Sequence, residues 1–425
     1  MSPTFRALHV HNYRLYAAGG LVSNTGTWMQ RVAQDWLVVQ LAANDGTALG
    51  ITTGLQFLPA LLLSPYAGLI ADRVPKLWLL RITQSVMAVT ALLLGALAIS
   101  GQVEVWHVYV LAFVFGTGSA FDAPARQSFV SEMVGPDDLS NAVGLNSASF
   151  NAARLLGPAV AGLLIGAFGG GVMATGWVIV LNAVSYGAVL IALGAMDQSE
   201  LHPSVREPRQ KGQILDAVRY LRGRPDLLLI FSIVFFTGTF GLNFQMTSAL
   251  MATQVFDKGA TEYGILGSIM AIGSLTGALL AARRTRIRLR LVVGAALTFG
   301  VVEIAAGLMP SYLAYALIIP LLGLTALTLI TAANTTVQLA TAPGLRGRVM
   351  ALYLMVFMGG TPLGSPFIGW LGEQFGARWT LIGGGSITLL GVIGATLLFT
   401  RGRGLLDRKV AARQVPLEEA VGSTA

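Results

Sequence analysis

A chain of 425 residues ordinarily makes two or three soluble domains, but 54% of these residues are hydrophobic and only 11% charged, against about a quarter charged in soluble proteins. Lys and Arg number 28 and Asp and Glu 20, too few to coat a water-facing surface of this size. The composition excludes a disordered chain and a coiled coil, the lack of cysteine excludes a disulfide scaffold, and a multi-span membrane protein is left.

A helix crossing the bilayer needs roughly 20 mostly apolar residues, and twelve such segments are predicted along the chain. Six occupy 15–41, 48–70, 77–100, 105–128, 140–168 and 174–196. Six more occupy 227–254, 263–282, 291–309, 311–338, 349–371 and 378–399. Unbroken apolar stretches satisfy their backbone in lipid only as helices, and the alternation of a β-barrel strand is missing, so the expectation is an all-α integral membrane protein. The first span is too long and too charged for a cleaved signal peptide.

The polar interruption between Asp197 and Asp226 divides the spans into two groups. The expected organisation is a six-helix bundle over 1–196, a linker over 197–226, a second six-helix bundle over 227–400 and a tail over 401–425. Within the linker, Ile214, Leu215, Val218 and Leu221 share one helical face while Arg219 and Arg222 point elsewhere, which predicts an amphipathic helix lying on the membrane surface. Weak internal repetition fits two bundles: Leu49-Gly50-Ile51 is echoed by Tyr263-Gly264-Ile265, and Leu156-Gly157-Pro158 by Gly359-Gly360-Thr361-Pro362-Leu363-Gly364.

Cations fix the orientation, because loops rich in Lys and Arg stay in the cytoplasm. One side holds Arg6, Arg14, Arg73, Lys76, Arg81, Arg126, the cluster from Arg206 to Arg224, that from Arg283 to Arg290, Arg346, Arg348 and the basic tail. The other side holds only Lys258 and Arg378. Both termini are therefore expected in the cytoplasm and the protein in the cell (inner) membrane. The net charge of +8 reflects topology beside anionic headgroups, with no nucleic-acid partner.

Charges inside spans each cost roughly 3 kcal/mol at the bilayer centre on insertion scales and so mark function or pairing. Arg31 and Asp35 stand on one face of the first span, where each can neutralise the other, with Asn24 and Gln34 nearby. Arg154 lies in the fifth span beside Asn151, Asp122 near the inner end of the fourth, and Glu303 in the ninth. For Asp35 two readings stand: a carboxyl that exchanges a proton, or a static pair with Arg31. Arg154 either tunes Asp35 or Asp122 or caps carbonyls. His107, between Trp106 and Tyr109, reads as part of an aromatic belt.

Several of these stretches carry a family resemblance. Gly68-Leu69-Ile70-Ala71-Asp72-Arg73-Val74-Pro75-Lys76 resembles the major facilitator superfamily signature G-x-L-A-D-R-x-G-R-K, with Pro75 in place of a glycine and Leu77 in place of the last cation. Gly144, Ala153, Gly157, Pro158, Ala161 and Gly162 keep the spacing of the drug/proton antiporter signature, two glycines having become alanine. The stretches Gly26 to Trp36 and Phe121 to Gln127 resemble the bacterial subgroup that includes the enterobactin exporter and its multidrug relatives. No arginine stands between Leu111 and Ala120, where that family usually has one, which leaves in question any coupling that depends on it.

The resemblance implies the major facilitator fold, twelve helices in two six-helix bundles, with the first, fourth, seventh and tenth spans lining a central cavity. It also implies export, driven by the proton gradient without any cofactor. Asp72 and Arg73 then serve as an inner gate, or else form an ordinary surface pair. Gly157 and Pro158 let helices approach closely and control leak. Substrate contacts are expected from Asn24, Trp28, Gln34, Phe236, Phe240, Asn243, Phe244, Asn334 and Gln338, a lining suited to a bulky, largely apolar molecule with a few hydrogen-bonding groups. The set expected to couple protons is Asp35, Arg31, Arg154, Asp122 and Glu303. No phosphate-binding loop or metal-ligand spacing is present, so no enzyme, no metal and no direct use of ATP are expected. The expected function is export of drugs, secondary metabolites or siderophore-like compounds by alternating access, the protein acting as a monomer on small-molecule substrates. An uptake symporter for a neutral metabolite is the alternative reading, and a non-transporting sensor has no need of Arg31, Asp35 and Arg154.

Overall fold

The computed structural model describes residues 3–202, 213–282, 289–342 and 345–400, which form helices and no β-strand. The first half comprises α1 (His11–Leu41), α2 (Gly46–Arg73), α3 (Lys76–Ile99), α4 (Val105–Met133), α5 (Pro136–Ala167) and α6 (Val172–Gly194). The second opens with α7 (Gln213–Arg222), α8 (Pro225–Phe236) and α9 (Phe244–Leu250), the last two joined by the π-helical stretch Thr237–Gly241. There follow α10 (Ala260–Ala282), α11 (Leu289–Gly307), α12 (Tyr312–Ala340), α13 (Arg346–Gly359), α14 (Thr361–Phe375) and α15 (Arg378–Thr400). Eleven segments, with Pro225–Val255 and Arg346–Phe375 as one each, are long and apolar enough to cross a bilayer. The 31-residue α1, which holds Asn24, Gln30, Arg31, Gln34 and Asp35, supplies the more polar twelfth.

The helices start where local chemistry dictates. Pro136 and Pro225 open α5 and α8, where a missing N–H costs nothing. The Asp45 carboxylate accepts from the N–H groups of Thr47 and Ala48, starting α2 straight after a turn in which Ala43 and Asn44 have positive φ. In the first bundle α1 packs on α5 and α6, α2 on α4, and α3 on α4 and α6. In the second, α10 packs on α12, and α11 on α12 and α15.

The bundles meet along two seams, α2 against α14 and α5 against α10, and glycine decides where each is closed. A Cβ at Gly50 would lie 2.3 Å from the Ser365 carbonyl oxygen, and one at Gly369 2.2 Å from that of Gly46. On the other seam a Cβ at Gly162 would lie 2.5 Å from the Ala260 carbonyl oxygen, and one at Gly264 2.3 Å from that of Pro158. All of these lie at the end of the molecule remote from the basic loops. Further along the same helices, a Cβ at Gly68 or Gly144 would meet nothing within 4 Å. The seams are thus closed backbone on backbone at one end, and among the described residues there is open space beside Gly68 and Gly144 further along the same helices.

Two expectations need correction. The helix α7 does not lie free on a membrane surface: Ala217 and Leu221 are buried in the second bundle's core, where α7 packs on α8 and α13. Tyr220 and Arg224 tie its end down, both donating to the Ala340 carbonyl oxygen, while Arg224 also pairs with Asp226 at 2.6 Å. An apolar face finds better cover on a packed bundle than at a lipid interface, and the sequence could not show that a bundle was in reach. Arg126 is no loop cation either, because α4 runs on past it to Met133 and holds it against Asp122. The basic residues 206, 209, 211, 283, 284, 286 and 288 and the tail beyond 400 lie outside the described residues.

Candidate functional site

The polar groups of α1 are distributed around the seam between the bundles, since this helix touches both. Asp35, 6% exposed, does not pair with Arg31 as its spacing suggested. Its Oδ2 accepts a 3.0 Å hydrogen bond from the hydroxyl of Tyr263, on α10 of the other bundle. The ring of Trp36 stacks on that of Tyr263, with centroids 6.3 Å apart. Being on one helix face allows a charge pair but does not require one when a better-placed donor comes from elsewhere in the fold.

Arg31 instead lies over aromatic faces, 4.7 Å from the Trp28 centroid and 5.7 Å from that of Phe57 on α2. Arg154, on α5, lies 5.7 Å from the same Trp28 ring, and its Nη2 donates to Ser274 Oγ on α10 at 3.5 Å. Gly157 holds this ring in place, since a Cβ there would come 2.6 Å from that of Trp28. Beside it Pro158 packs directly on Gly264 and Gly267, and Ser268 stitches the neighbouring backbone, donating to the Leu155 carbonyl oxygen and accepting from the Ala159 N–H.

Asp122 is held on every side: Thr83 Oγ1 donates to it at 2.9 Å, Gln84 Nε2 at 2.6 Å and Arg126 Nε at 3.0 Å. Arg126 is the cation of the fourth span, lying C-terminal to the stretch from Leu111 to Ala120. Glu303 is fully buried, and neither carboxyl oxygen has a hydrogen-bond partner. It faces the π-helical stretch: Cβ positions built on Gly241 and Gly384 lie 3.1 and 3.4 Å from its oxygens.

The proposed substrate residues are not gathered on one surface. Gln34 donates to Gln56 at 2.8 Å and is buried, whereas Asn24 is half-buried. The phenylalanines spaced by four do not form one stripe, because Thr237–Gly241 shifts the helical register. Phe236 stacks on Phe240, which also meets Phe367, while Phe244 turns away to Phe299 and the core. Asn243 repairs the break in its own helix, donating to the carbonyl oxygens of Thr239 and Phe240 and accepting from Ser365. Asn334 accepts from Gln338 one turn on, at 2.8 Å. Arg73 ends α2 at the basic end, and the Asp72 side chain lies outside the described residues.

Sequence reading missed Tyr263, Gln56, the bonded pair Gln30 and Asn182, and the buried pair of Lys76 with Glu132. Tyr263 lies in the first turn of α10 and Glu132 in the last turn of α4, and nothing in their neighbours along the chain marks them. Gln30 and Asn182 were visible as amides in apolar spans, which is the signal that could have paired them.

The whole chain resembles known transporters. The model of the family described as transmembrane secretion effector matches residues 2–413. The multidrug efflux pump Tap of Mycolicibacterium fortuitum is 28% identical over 402 residues, 90% of this chain and 94% of that one. The staphyloferrin A transporter of Staphylococcus aureus is 32% identical over 144 residues, 34% of this chain and 36% of that one. The fold is shared with an inward-facing, occupied bacterial homologue of the human lysosomal transporter Spinster, with a TM-score of 0.69 at 16% identity over 94% of this chain and 98% of that one. With its helices in two bundles closed on glycine at one end, the chain belongs to the transmembrane secretion effector family of major facilitator transporters.

Proposed function

We propose that this multi-pass membrane protein exports small amphipathic molecules in exchange for protons, by alternating access, with Asp35 as the carboxyl that takes up and releases the proton. The observation that carries the reading is the hydrogen bond from Tyr263 to Asp35, which crosses from one bundle to the other at the sealed end. A bond to a carboxylate is roughly twice as strong as one between neutral groups. Proton occupancy of Asp35 therefore changes how strongly the bundles hold together there, and a ligand that differs in affinity between two states shifts their balance. Asp122, with three donors around it, and Glu303, inside the second bundle, lie away from the seam and have structural parts in this reading.

Export is supported by its relatives, which include a multidrug efflux pump and a macrolide efflux protein. The basic end faces the cytoplasm by the charge rule, which puts both termini on the cytoplasmic side of the cell membrane and makes this conformation inward-facing. The test is transport in proteoliposomes. A dye substrate of the efflux relatives should move against its gradient when a proton gradient is imposed and stop when it is collapsed. Asp35→Asn should abolish that movement at unchanged expression, and normal transport by this variant would remove Asp35 from the role. Accumulation of substrate with the proton gradient, in the same direction, would favour the uptake symporter instead.

A further inference from the structure

Two positive charges share one aromatic ring in the heart of the molecule. Arg31 and Arg154 both lie against Trp28, at 4.7 and 5.7 Å from its centroid. The ion pairs among the described residues join Arg6 to Asp138, Lys76 to Glu132, Arg126 to Asp122 and Arg224 to Asp226, and neither of these two arginines takes part. Asp35, the acid closest along α1, is turned to Tyr263. The Nε of Arg31 is buried without a hydrogen-bond partner, and Arg154 reaches Ser274 only at 3.5 Å. Among the amides of these spans, Gln56 Oε1 accepts from Gln34 and Gln30 Oε1 accepts from Asn182.

A guanidinium carries five donors in a planar fork. Two of them beside each other repel, and a ring face returns only about 0.5–2 kcal/mol per cation. What such a place lacks is a planar acceptor of negative charge. Around it stand Trp28, Phe57 and Phe150, the last edge-on to Trp28 with centroids 5.8 Å apart, so an aromatic body has faces to lie against. Trp28, Arg31, Phe57 and Arg154 are all half-buried.

The geometry points to an anion-binding subsite, formed by Arg31 and Arg154 around Trp28, that selects amphipathic substrates bearing a carboxylate or a similar planar anion over their neutral counterparts. It rests on the reading of the chain as an exporter of amphipathic molecules and names the charge those molecules carry. The aromatic walls provide general affinity for apolar bodies, and the arginines provide the choice among them.

A matched pair of fluorescent probes tests this: dansylglycine, which carries a carboxylate, and dansylglycinamide, which does not. Binding to the purified full chain in detergent should favour the acid by about tenfold, the scale of one charge-assisted contact. Arg31→Gln and Arg154→Gln should each erase most of that preference, and Arg31→Lys and Arg154→Lys should keep much of it. Melting temperatures in detergent close to that of the native chain show that the glutamine variants are folded. Equal affinity for both probes in the native protein, a preference that survives in the double glutamine variant, or binding of neither probe would overturn the subsite. Transport separates this from the exporter reading. If the binding pattern holds but a proton gradient moves neither probe, export fails and the subsite stands. If both probes are exported equally well, the subsite fails and export stands.

Discussion

Glu303 is the side chain whose surroundings offer it least. It is fully buried with both oxygens unpartnered, and it looks onto the positions of Gly241 and Gly384, where only a hydrogen fits. A polar group buried without a partner costs about 1–3 kcal/mol, a cost that an apolar side chain of similar shape removes. Glu303→Met should therefore raise the unfolding temperature in detergent by several degrees while proton-driven export continues. Loss of export with the fold intact would show instead that this carboxyl takes part in coupling. The existence of such residues was plain from the chain, because a charge in an apolar run stands out. Their partners were not: Asp35 meets Tyr263 only because the fold brings one bundle against the other there, and no local spacing encodes that.

At the scale of the helix, α2 carries glycines with opposite consequences along one element. At Gly50 an added methyl would strike the Ser365 carbonyl, whereas at Gly68 it would meet nothing within 4 Å. Gly50→Ala should thus spread α2 from α14 and lower thermal stability, with a cost on the order of 1–3 kcal/mol for an overpacked contact. Gly68→Ala should do the reverse, gaining roughly 0.5–1 kcal/mol of helix propensity in this conformation. Turnover should nevertheless slow, because the same methyl would obstruct closure of the basic end. Thermal melts paired with export rates read both signs. Helix number and extent were legible from apolar length, and observed bounds differ from the predicted ones by a few residues. The register of the seventh span was not, because a wide turn at Thr237–Gly241 leaves hydrophobicity unchanged while rotating Phe244 out of line with Phe236. The docking of α7 was equally hidden, since an amphipathic face shows that cover is needed but not which surface provides it.

For the whole molecule, the two bundles touch through glycine crossings on both seams, and among the described residues Gly68 and Gly144 have open space beside them. The native chain has no cysteine, so single introduced thiols report cleanly. Gly144→Cys, at the open end of α5, should react with a membrane-impermeant maleimide applied from the cytoplasmic face only, and Ser100→Cys, exposed between α3 and α4, from the outer face only. The opposite pattern would invert the topology. The close crossings at Gly46, Gly50, Gly162 and Gly264 also bear on heredity. They are backbone laid on backbone, so there is no side chain there to vary by small steps, and every substitution adds bulk where none fits. Lineages adapting to new compounds must then change the walls around Trp28, and a molecule that wedges the glycine crossing would leave resistance few routes of escape.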